Sequence, residues 1–214
     1  MKTSLVLLIL FCPLLNHAAE RVFVGVDAGQ QRIDNGPSIT LRWCPPGEFT
    51  MGSPETEPGR DNYEKPHRVK LTHGFWLGET EVTQGQWQTV MGLTLKAQAQ
   101  KMLDDETLYP QGGKMITLRE GLKAIGGRKV LDSVTAAKSP NIPIYYVSWD
   151  DAMAFCAKLT EKERQAGRLP DGAIYTLPTE AQWEYACRAD TTTATYAGPM
   201  RDRCWCLVKT TPLF

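Results

Sequence analysis

The sequence carries no surplus of charge of either sign, with 24 Lys and Arg against 24 Asp and Glu. No long-range field therefore draws nucleic acid, and no lysine-rich run points to an anionic membrane surface. Histidine is scarce at 3 residues, so a histidine zinc site or a Ser-His-Asp triad has little material. His67 and His73, on one straight strand, would sit roughly 20 Å apart and cannot share a metal. Long apolar runs are missing too. The stretch Leu5 to Leu15 covers about 11 residues, short of the roughly 20 that a membrane-spanning helix needs. There is no internal repeat and no low-complexity tract.

What is present fits one globular domain: 214 residues, 42% apolar and 22% charged, are enough for one sizeable core. Lys2, the apolar stretch after it, and Ala18-Ala19 ahead of Glu20-Arg21 form a secretory signal over residues 1–19, cut after Ala19. The expectation is a secreted or periplasmic protein. Cys12 does not mark a lipoprotein, because bulky Phe11 stands where a small residue normally precedes a lipidated cysteine. Export would put Cys44, Cys156, Cys187, Cys204 and Cys206 in an oxidising compartment. Their number is odd, so one thiol stays free or a partner lies elsewhere.

Residues 20–38 read as a linker. Ile39 to Trp43 and Glu48 to Met51 read as short strands around the turn Pro45-Pro46-Gly47, and Ser53 to Pro66 as a polar surface loop. Val69 and Leu71 alternate with charged neighbours as in a half-buried strand, and Phe75 to Leu77 continues the sheet. Thr83 is the expected N-cap of a helix stopped by Gly92. Residues 93–140 break this rhythm and read as an insertion, with helices at Ala97 to Leu103 and Leu118 to Ile125 joined by a turn around Pro110, Gly112 and Gly113. A longer helix follows Ser148, which forms a capping box with Asp151 and aligns Ala152, Phe155, Cys156 and Leu159 on one face. Its far end, Glu161 to Arg168, reads as charged and solvated. The strand Ala173 to Leu177 leads to a last helix with a box of Thr179 and Gln182, whose expected buried stripe is Trp183, Ala186 and Cys187.

Four segments, in this order and spacing, resemble the formylglycine-generating enzyme or sulfatase-modifying factor family. They are Pro46-Gly47-Glu48-Phe49-Thr50-Met51-Gly52-Ser53; Gly74-Phe75-Trp76-Leu77-Gly78-Glu79 with Glu81-Val82-Thr83; Val147-Ser148-Trp149-Asp150-Asp151-Ala152; and Leu177-Pro178-Thr179-Glu180-Ala181-Gln182-Trp183-Glu184-Tyr185-Ala186-Cys187-Arg188. The resemblance implies an α+β fold, C-type-lectin-like, over residues 39–198. It also implies a copper-dependent oxidase that uses O₂ to turn the cysteine of a sulfatase Cys-x-Pro-x-Arg motif into an aldehyde. Two thiolates suit Cu(I), and the substrate thiolate can join them. The implied partner is a sulfatase or another exported protein.

In the family the cysteine pair lies near the C-terminus, after a Gly-Asn-Val-Trp-Glu-Trp-like segment and a Gly-Gly-Ser loop. This sequence contains neither segment. No catalytic residue, cofactor ligand or metal ligand is therefore carried over, and copper is expected only in full-length active relatives. The domain reads as truncated at its C-terminus, with residues 199–214 an atypical tail whose change of character after Gly198 points to a frameshift or a shortened gene. Cys204 and Cys206 are too closely spaced to match the family pair. The resemblance also suggests that Cys156 and Cys187 form disulfides, with segments beyond this sequence or with each other; as apolar-face residues they read equally well as buried thiols.

Asp150, Asp151, Glu180 and Glu184 offer carboxylates for a glycosidase pair. The first three fall in first turns of helices, where negative charge meets unpaired N–H groups, and this is the preferred reading. Gly112-Gly113-Lys114 lacks phosphate-loop spacing. A non-catalytic C-type-lectin-like binding module, displaying residues 93–140, is the alternative to the enzyme scaffold.

Overall fold

The structure is a computed structural model that describes residues 9–11, 23–33, 36–57, 60–136 and 139–192. Along the chain come β1 (Ile9–Phe11), β2 (Gln31–Arg32), β3 (Leu41–Cys44), β4 (Gly47–Met51), β5 (His67–Leu71) and β6 (Phe75–Gly78). Then follow α1 (Gln84–Met91), α2 (Leu95–Asp104), β7 (Tyr109–Gln111), β8 (Lys114–Ile116), α3 (Leu118–Ala124) and α4 (Arg128–Thr135). The last are α5 (Trp149–Gln165), β9 (Ile174–Thr176) and α6 (Glu180–Arg188).

In β3 the period of two places Leu41 and Trp43 in the core, with Arg42 half-buried. Trp43 stands opposite Trp76 of β6, their rings 5.3 Å apart. The main sheet runs in the order β2-β3-β6-β1-β9, with every neighbouring pair antiparallel. β4 and β5 form a separate hairpin; in the polar segment between them Ser53, expected at the surface, is buried with its hydroxyl donating to Glu64 Oε2 at 2.6 Å, while Pro54, Glu55 and Thr56 are exposed.

The described residues of the stretch expected to be a linker, 23–33 and 36–38, pack onto the fold. Phe23 is buried, its carbonyl accepts the Trp76 Nε1–H at 2.7 Å, and the Arg32 guanidinium lies 4.3 Å from its ring centroid. Gly25 and Gly74 both come so close to the Trp43 ring that a Cβ on either would overlap it. Glycine is needed there for approach rather than for a turn.

Helices cover the sheet through side chains that local patterning identifies. Thr83 and Gln86 close a capping box at the start of α1, and Gly92 ends it with φ 77°. Ser148 and Asp151 do the same for α5, whose Ala152, Phe155, Cys156 and Leu159 are all buried. Trp87 of α1 and Phe155 of α5 stack with centroids 5.2 Å apart and planes 5° from parallel, joining the two helices at the centre of the core. The far end of α5 is not simply solvated: Glu163 is 2% exposed, held by Arg168 at 2.8 and 2.9 Å and by the Gly36 N–H at 3.0 Å. A bidentate guanidinium and a backbone donor offset the desolvation of that carboxylate.

The segment read as an insertion folds around a small core of its own, made by Ala99, Leu103, Leu122 and Leu131. Its turn at Gly112 and Gly113, with φ 58° and 79°, closes the β7–β8 hairpin, and α4 is an element the sequence reading did not resolve. Tyr146 packs against both cores and takes φ 62°, a conformation rare for a residue with a Cβ. Among the described residues no helix is long and apolar enough to cross a membrane.

Candidate functional site

The four segments of the family resemblance build scaffold. The first makes β4 and the last makes α6, and these two elements touch. Phe49 and Tyr185 meet edge to face at 5.4 Å. Beside them Arg188 donates from Nη2 to Glu184 Oε1 and to the Gly52 carbonyl, both at 2.6 Å, while the Gly52 N–H donates to the same Glu184 oxygen at 2.9 Å. Glu184 is thereby committed to a closed three-way clamp and is not poised for proton transfer to a substrate. The stripe expected to be buried on α6, Trp183, Ala186 and Cys187, is only half-buried.

Asp151 is the carboxylate with the richest surroundings. It caps α5 through Ser148, accepts from Gln98 Nε2 at 2.9 Å and from the Lys101 ammonium at 2.5 Å. Burial raises its pKa, but the hydrogen bonds from Lys101 and Ser148 outweigh this and hold it below the usual carboxylate range. Gln98, fully buried, also donates to the Tyr146 carbonyl at 3.2 Å, and its Oε1 has no partner among the described residues. Gln98 had no sequence signal, since nothing local distinguishes a buried glutamine from a solvated one. Asp150 and Glu180 lie in first turns, as the sequence suggests.

Cys44, Cys156 and Cys187 are free thiols in the structure. Burial pushes Cys156 up to about 12 and Cys44 up to about 11; burial, then the Glu184 carboxylate, raises Cys187 against a lowering by Arg188. All three are pushed toward the protonated form, away from the thiolate that binds Cu(I). Among the described residues no group of three His, Cys, Asp or Glu is placed to hold a metal. The three described thiols, raised by burial, do not match the thiolate pair that the resemblance implies for copper. His67 rests on the Lys65 carbonyl and His73 on the Thr72 hydroxyl, each at 2.9 Å. Gly112-Gly113-Lys114 is the tight turn of a hairpin, while Cys204 and Cys206 lie outside the described residues.

The formylglycine-generating enzyme of Bos taurus is 26% identical over 165 residues, covering 71% of this chain and 40% of the relative. That of Mus musculus is 29% identical over 158 residues, covering 67% and 38%. The chain thus spans about two-fifths of the length of these curated relatives. The solved structure of PvdO from Pseudomonas aeruginosa matches with a TM-score of 0.51 at 22% identity, over 78% of this chain and 54% of that one, which supports a shared mixed α+β fold. Residues 31–204 match the family described as "Sulfatase-modifying factor enzyme 1-like domain", and the chain belongs to that family.

Proposed function

We propose that this chain is the front, scaffold part of an exported formylglycine-generating domain, and that by itself it does not oxidise cysteine. The proposed parent would use copper and O₂ to convert a cysteine of an exported sulfatase. The observation that carries the reading is the state of the thiols: Cys44, Cys156 and Cys187 are all pushed toward the protonated form, and none belongs to a metal-binding cluster among the described residues. Family membership supports the implied client class, and the leader-like residues 1–19 support export. The test is titration of the reduced chain with Cu(I) against a chromogenic chelator. The expected result is no stoichiometric uptake; one tightly held equivalent, retained in a Cys204→Ser/Cys206→Ser variant, would overturn it.

A second reading, a non-catalytic binding module, has one observation in its favour. The insertion holds its own core yet leaves Leu108, Met115 and Ile125 exposed. Deleting 93–140 with no loss of binding to an exported client would remove that reading.

A further inference from the structure

The main sheet contains a strand that the expected export signal would remove. Ile9–Phe11 lies between β6 and β9, with Ile9 opposite Leu77 and Thr176, Leu10 opposite Trp76 and Tyr175, and Phe11 opposite Ile174. Among the described residues β6 and β9 do not pair with each other, and β1 links them within the sheet. Each is fixed from behind. β6 pairs with β3, and β9 is tied to α5 by the Tyr175 N–H donating to Thr160 Oγ1 at 2.9 Å. A cut after Ala19 would therefore leave two strand edges, held by different parts of the core and facing a gap one strand wide. Unpaired edges of this kind are templates for an incoming strand.

We propose that the space between β6 and β9 is a strand-acceptor site for one extended apolar peptide segment of the Ile-Leu-Phe type, running antiparallel to both neighbours. In the uncut chain the occupant is Ile9–Phe11; in the cut chain a segment of the same character from another polypeptide takes its place. The direction and register follow from β1, and the apolar character from the sequence of the strand seated there. Main-chain pairing on both sides would supply affinity that does not depend on a particular side-chain pocket.

The test uses the full chain carrying a protease recognition site after Ala19, folded before it is cut. Amide exchange is followed at Trp76, Ile174 and Thr176, whose N–H groups face β1 in the alternating antiparallel pattern, the Tyr175 N–H being taken by Thr160, and capture is probed with a labelled, lysine-flanked peptide of residues 5–15. In the uncut chain Leu10→Pro should speed exchange at these positions by at least about tenfold, because proline removes a donor from a central strand, while Leu10→Val should not. After cutting and removal of the leader, the same amides should lose protection and regain it with the wild-type or Leu10→Val peptide, but not with Leu10→Pro. Equal capture of all three peptides would reveal apolar adhesion only and overturn the proposal. So would the Trp76, Ile174 and Thr176 amides staying protected with no peptide bound. The cutting arm needs no substitution in the chain, so a Leu10→Pro chain that fails to fold leaves the test intact.

Discussion

Arg188 lies one helical turn beyond Glu184, and the two grip the backbone of Gly52 between them, its N–H on the carboxylate and its C=O on the guanidinium. This clamp fixes the β4–β5 hairpin to α6, joining the first and last of the segments that mark the family. Both side chains are largely shielded, at 14% and 16% exposure, so the pair is screened less than a surface ion pair.

Replacing Arg188 with Ala should therefore cost about 1–3 kcal/mol, since it strands a shielded carboxylate and a backbone carbonyl. Glu184→Gln should cost less, because an amide oxygen can still accept from Gly52. Urea unfolding of both single variants and the double variant gives the coupling energy. A value near zero would mean that the hairpin is held by Phe49 and Tyr185 alone.

The stack of Trp87 on Phe155 is the centre of the core, and Phe155→Ala should remove about 3–5 kcal/mol. Trp87→Phe should be milder. Trp87 Nε1 is buried with no partner among the described residues, so the change deletes an unpaired polar group along with part of the ring. Thermal unfolding should place Phe155→Ala well below Trp87→Phe; the reverse order would show that Nε1 makes a bond of consequence.

Much of this was legible in the sequence because it is local. Capping boxes at Thr83, Ser148 and Thr179 are readable three residues at a time, and the spacing of Ala152, Phe155, Cys156 and Leu159 declares a buried helix face. What escaped depends on contacts between distant positions. Phe23 is part of the core because Trp76 and Arg32 reach it, and Glu163 is buried because Arg168 and Gly36 meet it. Neither pairing has a local signature. The half-buried state of α6 was equally invisible, since periodicity gives a helix face but not how much of it a neighbour covers.

Acid should weaken the attachment of the insertion to the main core. Asp151 has its pKa lowered in the folded chain, so its contribution is present above the unfolded value of roughly 3.9 and is lost as pH falls through the lower folded value. Asp151→Asn should reduce stability at neutral pH and flatten the acid limb. Chemical denaturation from pH 7 down to pH 3 reads both effects. An Asp151→Asn profile parallel to the wild type would mean that other carboxylates carry the acid response.

Cys156 should resist alkylation while the chain is folded, because it is buried and its thiol is pushed up to about 12. Cys187, half-buried, should label faster. Mass measurement after alkylation with and without reductant checks this and also detects a bridge. A mass gain at Cys156 and Cys187 only after reduction would show that they are held in disulfides rather than kept as thiols.

The most direct measurement is aldehyde formation from a Cys-x-Pro-x-Arg peptide incubated with the purified full chain, Cu(I), reductant and O₂, read with an aldehyde-specific probe beside an active relative. The scaffold reading expects product with the relative and none above background with this chain. Multiple turnovers by this chain, rising with added copper, would contradict it.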